Sequence, residues 1–286
     1  RPGEVVFNTG MVGYPEALTD PSYRGQILVM TATQMGNYGV NDLDVESSVP
    51  QVSGFVIREA SRLDSNYRSQ SMLGPWLESH GIPALCDIDT RALVRRLRVK
   101  GAMRGAISTD ASLSNEQLLE QVRTSPSMSG QNLASEASTT EPGQWSEGLI
   151  RVPPTPDRNV RQGEEIFRVA AIDCGAKRNI YRHLAERGCD VHFLPWNCSA
   201  EQIRALDPHG LFVSNGPGDP AETGKYALPT IKAVIEAGTP IAFSIHVEVA
   251  PEFDAPEMLT SDLAPLVHLR VRRQRAEHVR RRRGVE

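Results

Sequence analysis

Residues 210 to 220 read Gly210-Leu-Phe-Val-Ser-Asn-Gly-Pro-Gly-Asp-Pro220. The first five make a short apolar run of strand length. From Ser214 to Pro220, two glycines and two prolines make a rigid turn in which side chains do not block approach to the backbone. The amides of Gly216 and Gly218 can therefore face a carboxylate or a developing oxyanion, whereas the prolines have no N–H to offer. A bare tight turn would use the same residues. A position at the carboxyl end of a strand favours the ligand reading, because open parallel sheets bind their ligands there.

The flanking sequence supplies such a sheet. Phe167 to Asp173 reads as a strand, Lys177 to Arg187 as a helix ended by Gly188, and Asp190 to Leu194 as a second strand. Ser199 to Leu206 reads as a helix, with Ser199 at its cap and Gln202 three residues on. The strand Gly210 to Ser214 follows, then a helix Ala227 to Ala237 stopped by Gly238, then a strand Pro240 to Ile245. Alternation of this kind predicts a parallel sheet with helices on its faces. Chemistry is expected in the loops after Asp173, Ser214 and Ile245. In the first of these, Cys174 precedes a helix, where a thiol pKa can be depressed. It reads better as a small apolar side chain tucked under the turn.

Upstream, residues 124 to 164 are rich in Ser, Thr, Pro, Gly and Glu and show no sustained apolar period, the signature of a linker. Before them, Gln26 to Thr31, Gly54 to Ile57 and Ala84 to Asp87 are apolar runs between turn-rich stretches. Thr90 to Lys100 has a helical pattern, with Leu93, Val94 and Leu97 on one side and arginines on the other. The expected class is α/β: a mixed α/β amino-terminal domain over 1–123, the linker, and an incomplete parallel-sheet α/β domain over 165–250. An atypical tail covers 251–286.

Composition agrees with ordinary globular domains, at 40% hydrophobic and 23% charged residues. No apolar run approaches the roughly 20 residues that span a bilayer, and the chain opens Arg1-Pro2-Gly3 without an export signal, so no membrane partner and a cytoplasmic location are expected. Cys86, Cys174, Cys189 and Cys198 form no CxxC pair, and free thiols are expected. The net charge is −4 although residues 270 to 283 hold eight arginines, so the body of the chain gives nucleic-acid binding no support. The arginine run reads as a solvated tail.

Longer motifs carry a family resemblance. Gly3-Glu-Val-Val-Phe-Asn-Thr-Gly-Met-Val-Gly-Tyr-Pro-Glu16, Leu18-Thr-Asp-Pro-Ser-Tyr23, Asn37 to Asp42, Glu46-Ser-Ser48, Asp87-Ile-Asp-Thr-Arg91 and Gly101 to Ser108 resemble the amino-terminal domain of the carbamoyl-phosphate synthetase small subunit. Asp173-Cys-Gly-Ala-Lys-Arg-Asn-Ile180 and Leu211 to Pro220 resemble its glutamine amidotransferase domain. The resemblance runs from about residue 3 to about residue 241. It implies a subunit that hydrolyses glutamine and passes ammonia to a large subunit, which makes carbamoyl phosphate from bicarbonate and ATP for arginine and pyrimidine synthesis. ATP and magnesium would then belong to the large subunit, with no cofactor or metal in this chain. By motif position Gly216 and Gly218 would contact glutamine. Gly10 falls where some relatives have a substrate-touching serine, and it offers only backbone.

The sequence departs from the family after Gly238-Thr-Pro-Ile241. There the family continues into a nucleophile elbow, Gly-Ile-Cys-Leu-Gly-His-Gln, whereas this chain reads Ala242-Phe-Ser-Ile-His-Val-Glu-Val-Ala250 and has no cysteine after Cys198. Without an attacking thiol the acyl-enzyme route has no nucleophile. A second alignment matches the same residues to a later family segment, making His246 and Glu248 the catalytic base and its orienting acid, with the stretch that holds the cysteine missing. The other reading is an unrelated strand with an incidental His and Glu. Against the family the chain is expected to be shortened at both ends. The alternative to a glutaminase is a catalytically inactive binding subunit or a truncated fragment of the same family.

Overall fold

The computed structural model describes residues 1–150 and 166–243. The amino-terminal part is built on a sheet of five strands: β1 (Pro2–Asn8), β2 (Ile27–Met30), β3 (Gly54–Val56), β4 (Ala84–Leu85) and β5 (Met103–Ala106). Their order is β4-β3-β2-β1-β5, parallel except for the antiparallel edge pairing of β1 with β5. All four residues of β2 are buried, as a central strand covered on both faces requires. One face packs against helices α1 (Tyr14–Thr19) and α2 (Leu73–Ser79) around Tyr14, Leu18, Leu28 and Phe55. On the other face, α3 (Thr90–Lys100) presses Val94 and Leu93 toward Ile27, Val29 and Val56. The side chain of Asp89 caps α3 by accepting from the Ala92 amide at 3.0 Å, and Gly101, at φ 81°, ends it.

Helix α4 (Asn115–Thr124) follows, opened by a capping box between Ser114 and Gln117. Next come a short α5 (Ala134–Ala137) and strand β6 (Gly143–Trp145). These two elements replace the expected linker over 124 to 150, and 151 to 164 lie outside the described residues. Ala134 is buried in the core of the second sheet, and β6 forms that sheet's edge, antiparallel to β8 (Cys189–Pro195). The stretch looks like a linker because single anchors such as Ala134 and Trp145 hold it, together with side-chain-to-backbone bonds, rather than a periodic apolar stripe.

The second sheet also contains β7 (Phe167–Asp173), β9 (Gly210–Val213) and β10 (Ile241–Phe243), in the order β10-β9-β7-β8-β6 and parallel apart from β6. Helices α6 (Arg178–Glu186), α7 (Ala200–Ala205) and α8 (Pro220–Glu236) connect its parallel strands. Ser199 and Gln202 form the expected capping box of α7. Helix α8 starts seven residues before the expected Ala227, because Asp219 caps it and Pro220 takes the first position, where a missing N–H costs nothing. Gly224 and the internal Pro229 hide that start from a propensity reading. The chain steps from β7 outward to β8 and then back across to β9. The carboxyl ends of β7 and β9 therefore flank the point where strand order reverses.

All described residues belong to one compact unit, so the two sheets meet directly. Among the described residues no helix is long and apolar enough to cross a membrane.

Candidate functional site

The loop after β9 is held at both ends. The Ser214 amide donates to the Ile172 carbonyl at 3.1 Å, extending the pairing with β7. The Ser214 hydroxyl accepts from the Cys174 amide at 2.9 Å and donates to the Asn215 carbonyl at 2.7 Å. At Gly216 a Cβ would overlap the carbonyl oxygen of Cys174 and lie 2.9 Å from its carbonyl carbon. Gly218 sits at φ +89°, and a Cβ there would lie 2.5 Å from the Gln131 carbonyl oxygen. Both positions require glycine, the first by close backbone approach and the second also by handedness.

Asp219 closes the loop. Its carboxylate accepts from the Gly130 amide at 2.8 Å and from the Ala221 amide at 2.9 Å, and these bonds hold it below the usual carboxylate range. Among the described residues the Gly216 and Gly218 amides donate to nothing. Two free donors thus lie beside the amino terminus of α8, whose aligned peptide dipoles also favour negative charge. The arrangement can receive a carboxylate or a carbonyl oxygen that gains charge.

The amino-terminal part supports this loop from the side. Asn215 Nδ2 donates to Ser22 Oγ at 2.6 Å, and Asn8 Nδ2 donates to the hydroxyl of the adjoining Tyr23 at 3.4 Å. The Asn8 carboxamide oxygen in turn accepts the Gly10 amide at 2.7 Å. Gly10 is therefore linked to the loop through Asn8 and Tyr23, but its own N–H is already used. Ser22, Asn215 and Asn8 carry this support, and no sequence signal joins residues 193 positions apart. Ser22 does lie inside the Leu18 to Tyr23 motif, the one hint available.

No described thiol is poised to attack. Burial pushes Cys174 up to about 12, helped by Asp173 and Cys198, and pushes Cys198 up to about 11. Burial also raises Cys189, and Cys86 is exposed on the other sheet's part of the molecule. Cys174 packs in the core with Ala134, Ile172 and Cys198, as a small apolar side chain under the turn would. Phe243, the last described residue of β10, is in register with Val213, so this strand's carboxyl end lies at the same sheet edge as the Gly216 loop. His246 and Glu248 lie outside the described residues.

Among the described residues no group of His, Cys, Asp and Glu could hold a metal ion. Two cavities lie elsewhere along the junction of the two sheets. One is lined by Glu16, Asp44, Arg68, Asn179 and His183, the other by Asp42, Trp145, Glu147, Arg178 and Arg182. Burial raises the Glu16 carboxyl in the first. Neither is lined by residues 214 to 219.

Comparison with known proteins accounts for both parts. Residues 1–107 match the family model of the carbamoyl-phosphate synthase small chain CPSase domain, and residues 170–242 match that of class-I glutamine amidotransferases. A carbamoyl phosphate synthase small chain from a Nostoc species is 48% identical over 240 residues, covering 84% of this chain and 61% of the relative. The Thermosynechococcus vestitus protein of that name is 47% identical over 244 residues, covering 84% and 62%. The Escherichia coli one is 43% identical over 239 residues, with the same coverage of 84% and 62%. The chain spans about three fifths of the length of these relatives. Two domain matches in the right order, and identity running through both, make this chain a member of the carbamoyl-phosphate synthase small chain family.

Proposed function

We propose that this chain is the glutamine-handling subunit of a glutamine-dependent carbamoyl-phosphate synthase, and that it binds glutamine at the loop carrying Gly216 and Gly218. The observation that carries the reading is the pair of free amides at the carboxyl ends of β7 and β9, in a loop where both glycines are sterically required. The glutamine carboxamide oxygen would take these N–H donors and, as a nucleophile attacks, would hold its growing charge there. Each such donor is worth roughly 100- to 1,000-fold in rate when the geometry is fixed in advance. Ammonia released here would pass to a large subunit that uses ATP and magnesium. A heterodimer, a cytoplasmic setting and a supply of carbamoyl phosphate for arginine and pyrimidine synthesis go with this role. The four unpaired cysteines fit that setting.

A second reading rests on the thiols. Residues 242 to 250 contain no cysteine, and burial holds Cys174, Cys189 and Cys198 in the unreactive form. On that reading the chain binds glutamine and its partner without hydrolysing the amide.

Mixing the full chain with a carbamoyl-phosphate synthase large chain and glutamine separates the two. Glutamate release above a blank supports the hydrolytic role. Co-elution and glutamine binding without glutamate release support the binding role. Failure to co-elute and failure to bind glutamine would remove both.

A further inference from the structure

We propose that Glu46 is a positioning residue for the Gly216–Gly218 loop, acting across the junction of the two sheets through the amino terminus of α6. The proposal deepens the glutamine reading and rests on it for the identity of the ligand, but not for the mechanical link itself.

Glu46 is 5% exposed, and both of its carboxylate oxygens are committed. One accepts the Asn179 amide at 2.9 Å, and the other accepts Asn179 Nδ2 at 2.6 Å. The Glu46 carbonyl accepts the Arg178 amide at 3.1 Å. Three acceptor atoms of one residue are thus spent on the first turn of α6, where unpaired amides and the positive end of the helix favour a carboxylate. Glu46 is itself fixed from behind, because its amide donates to the hydroxyl of Thr19 at 2.8 Å and Thr19 is 1% exposed. A second contact runs parallel to it: Lys177 Nζ lies 2.7 Å from the carboxylate of buried Asp20.

The turn between β7 and α6 is the surface on which the glycine loop rests. The Cys174 carbonyl blocks any side chain at Gly216, the Cys174 amide bonds to Ser214, and a Cβ at Gly175 would meet Pro217 at 3.0 Å. A tilt of the start of α6 therefore shifts the floor under Gly216 and Pro217, and with it the direction of the two free amides. Glu46 spends its carboxylate on Asn179 rather than on the loop itself. It sets where the donors point.

Amide hydrogen exchange and calorimetric glutamine titration on the full chain test this, using Glu46→Ala, Glu46→Gln and a control, Arg24→Ala. Arg24 pairs with Glu136 at 3.1 Å across the same junction and also bonds Gln51, but both side chains are partly exposed and neither is hydrogen-bonded to the Asp173–Asn179 turn. Glu46→Ala should speed exchange about tenfold at Gly175, Ala176 and Ser214, whose own hydrogen bonds the substitution leaves in place. It should also weaken glutamine binding about tenfold. Glu46→Gln keeps one acceptor for Asn179 and should recover part of both losses. It carries the same comparison if the alanine variant does not fold. Arg24→Ala should change neither readout.

Unchanged exchange at those three amides beside a lowered melting temperature would make Glu46 merely structural and overturn the proposal. Equal effects from Arg24→Ala would overturn it too. If wild type binds no glutamine but Glu46→Ala still quickens the three amides, the positioning role stands and the glutamine reading falls.

Discussion

Two glycine loops lie at the junction of the sheets, and they are built on opposite plans. In the Gly216–Gly218 loop, each glycine is demanded by a distant segment: Cys174 excludes a side chain at the first, and Gln131 with Leu133 excludes one at the second. In the loop from Thr9 to Gly13, Gly10 meets only its own neighbours, with Asn8 Oδ1 at 3.0 Å and the Val12 carbonyl at 3.1 Å. The side chains beside it stand in solvent, Met11 at 80% and Val12 at 70% exposure. The first loop is fixed by packing against segments far away in sequence. The second is a rim whose glycine is crowded only by residues two positions away.

The comparison breaks most readily at Gly216. Gly216→Ala forces Cβ onto a backbone carbonyl and should cost about 3 kcal/mol in denaturant unfolding, the upper range for overpacking. Gly218→Ala adds a left-handed penalty of about 1–2 kcal/mol to a contact with Gln131, and should weaken glutamine binding even where the chain still folds. Next in size is Asp219→Ala, which removes the α8 cap and the Gly130 contact and should cost about 1 kcal/mol. Asp219 also predicts a pH dependence. Its folded pKa lies below the unfolded value of about 3.9, so its contribution is complete above that value and is lost as pH falls through the folded pKa. Melting curves taken from pH 5 downward should show a smaller acid loss in Asp219→Asn than in wild type.

The buried thiol gives the opposite sign. Cys174 is raised to about 12, so its contribution is present below the unfolded thiol value of about 8.5 and is lost as pH rises from there toward the folded one. Alkylation of the native protein at pH 8 should modify exposed Cys86 first and leave Cys174 and Cys198 untouched until unfolding. Rapid labelling of Cys174 would contradict its place under the turn. The smallest effect is expected at the rim, where Gly10→Ser crowds only the residues beside it and should cost no more than about 1 kcal/mol. A large loss at that position would mean that the two loops are not built differently after all.

How much of this was legible depends on the range of the interaction. Phe167 to Asp173 declares itself as a strand, and Ser199 with Gln202 announces a helix start, because each signal lies within a few residues. The glycine loop is visible for the same reason, as Gly-Pro-Gly after an apolar run. The path of residues 124 to 150 is not visible, since Ala134 and Trp145 are single anchors in a polar stretch and β6 pairs with a strand more than 40 residues away. Nor can Glu46 be seen reaching Asn179, or Ser22 reaching Asn215, because those contacts span 133 and 193 residues. The motif resemblance marked Glu46 and Ser22 as belonging to a pattern. Only the fold gives that pattern a physical task, which is to hold one sheet's loop from the other.

The most direct test is calorimetric titration of glutamine into the full chain, with Gly216→Ala measured beside it. A braced loop with two free amides predicts saturable heat at one site per chain, lost or strongly reduced in the variant. No saturable heat in wild type, or the same affinity in Gly216→Ala, would contradict it.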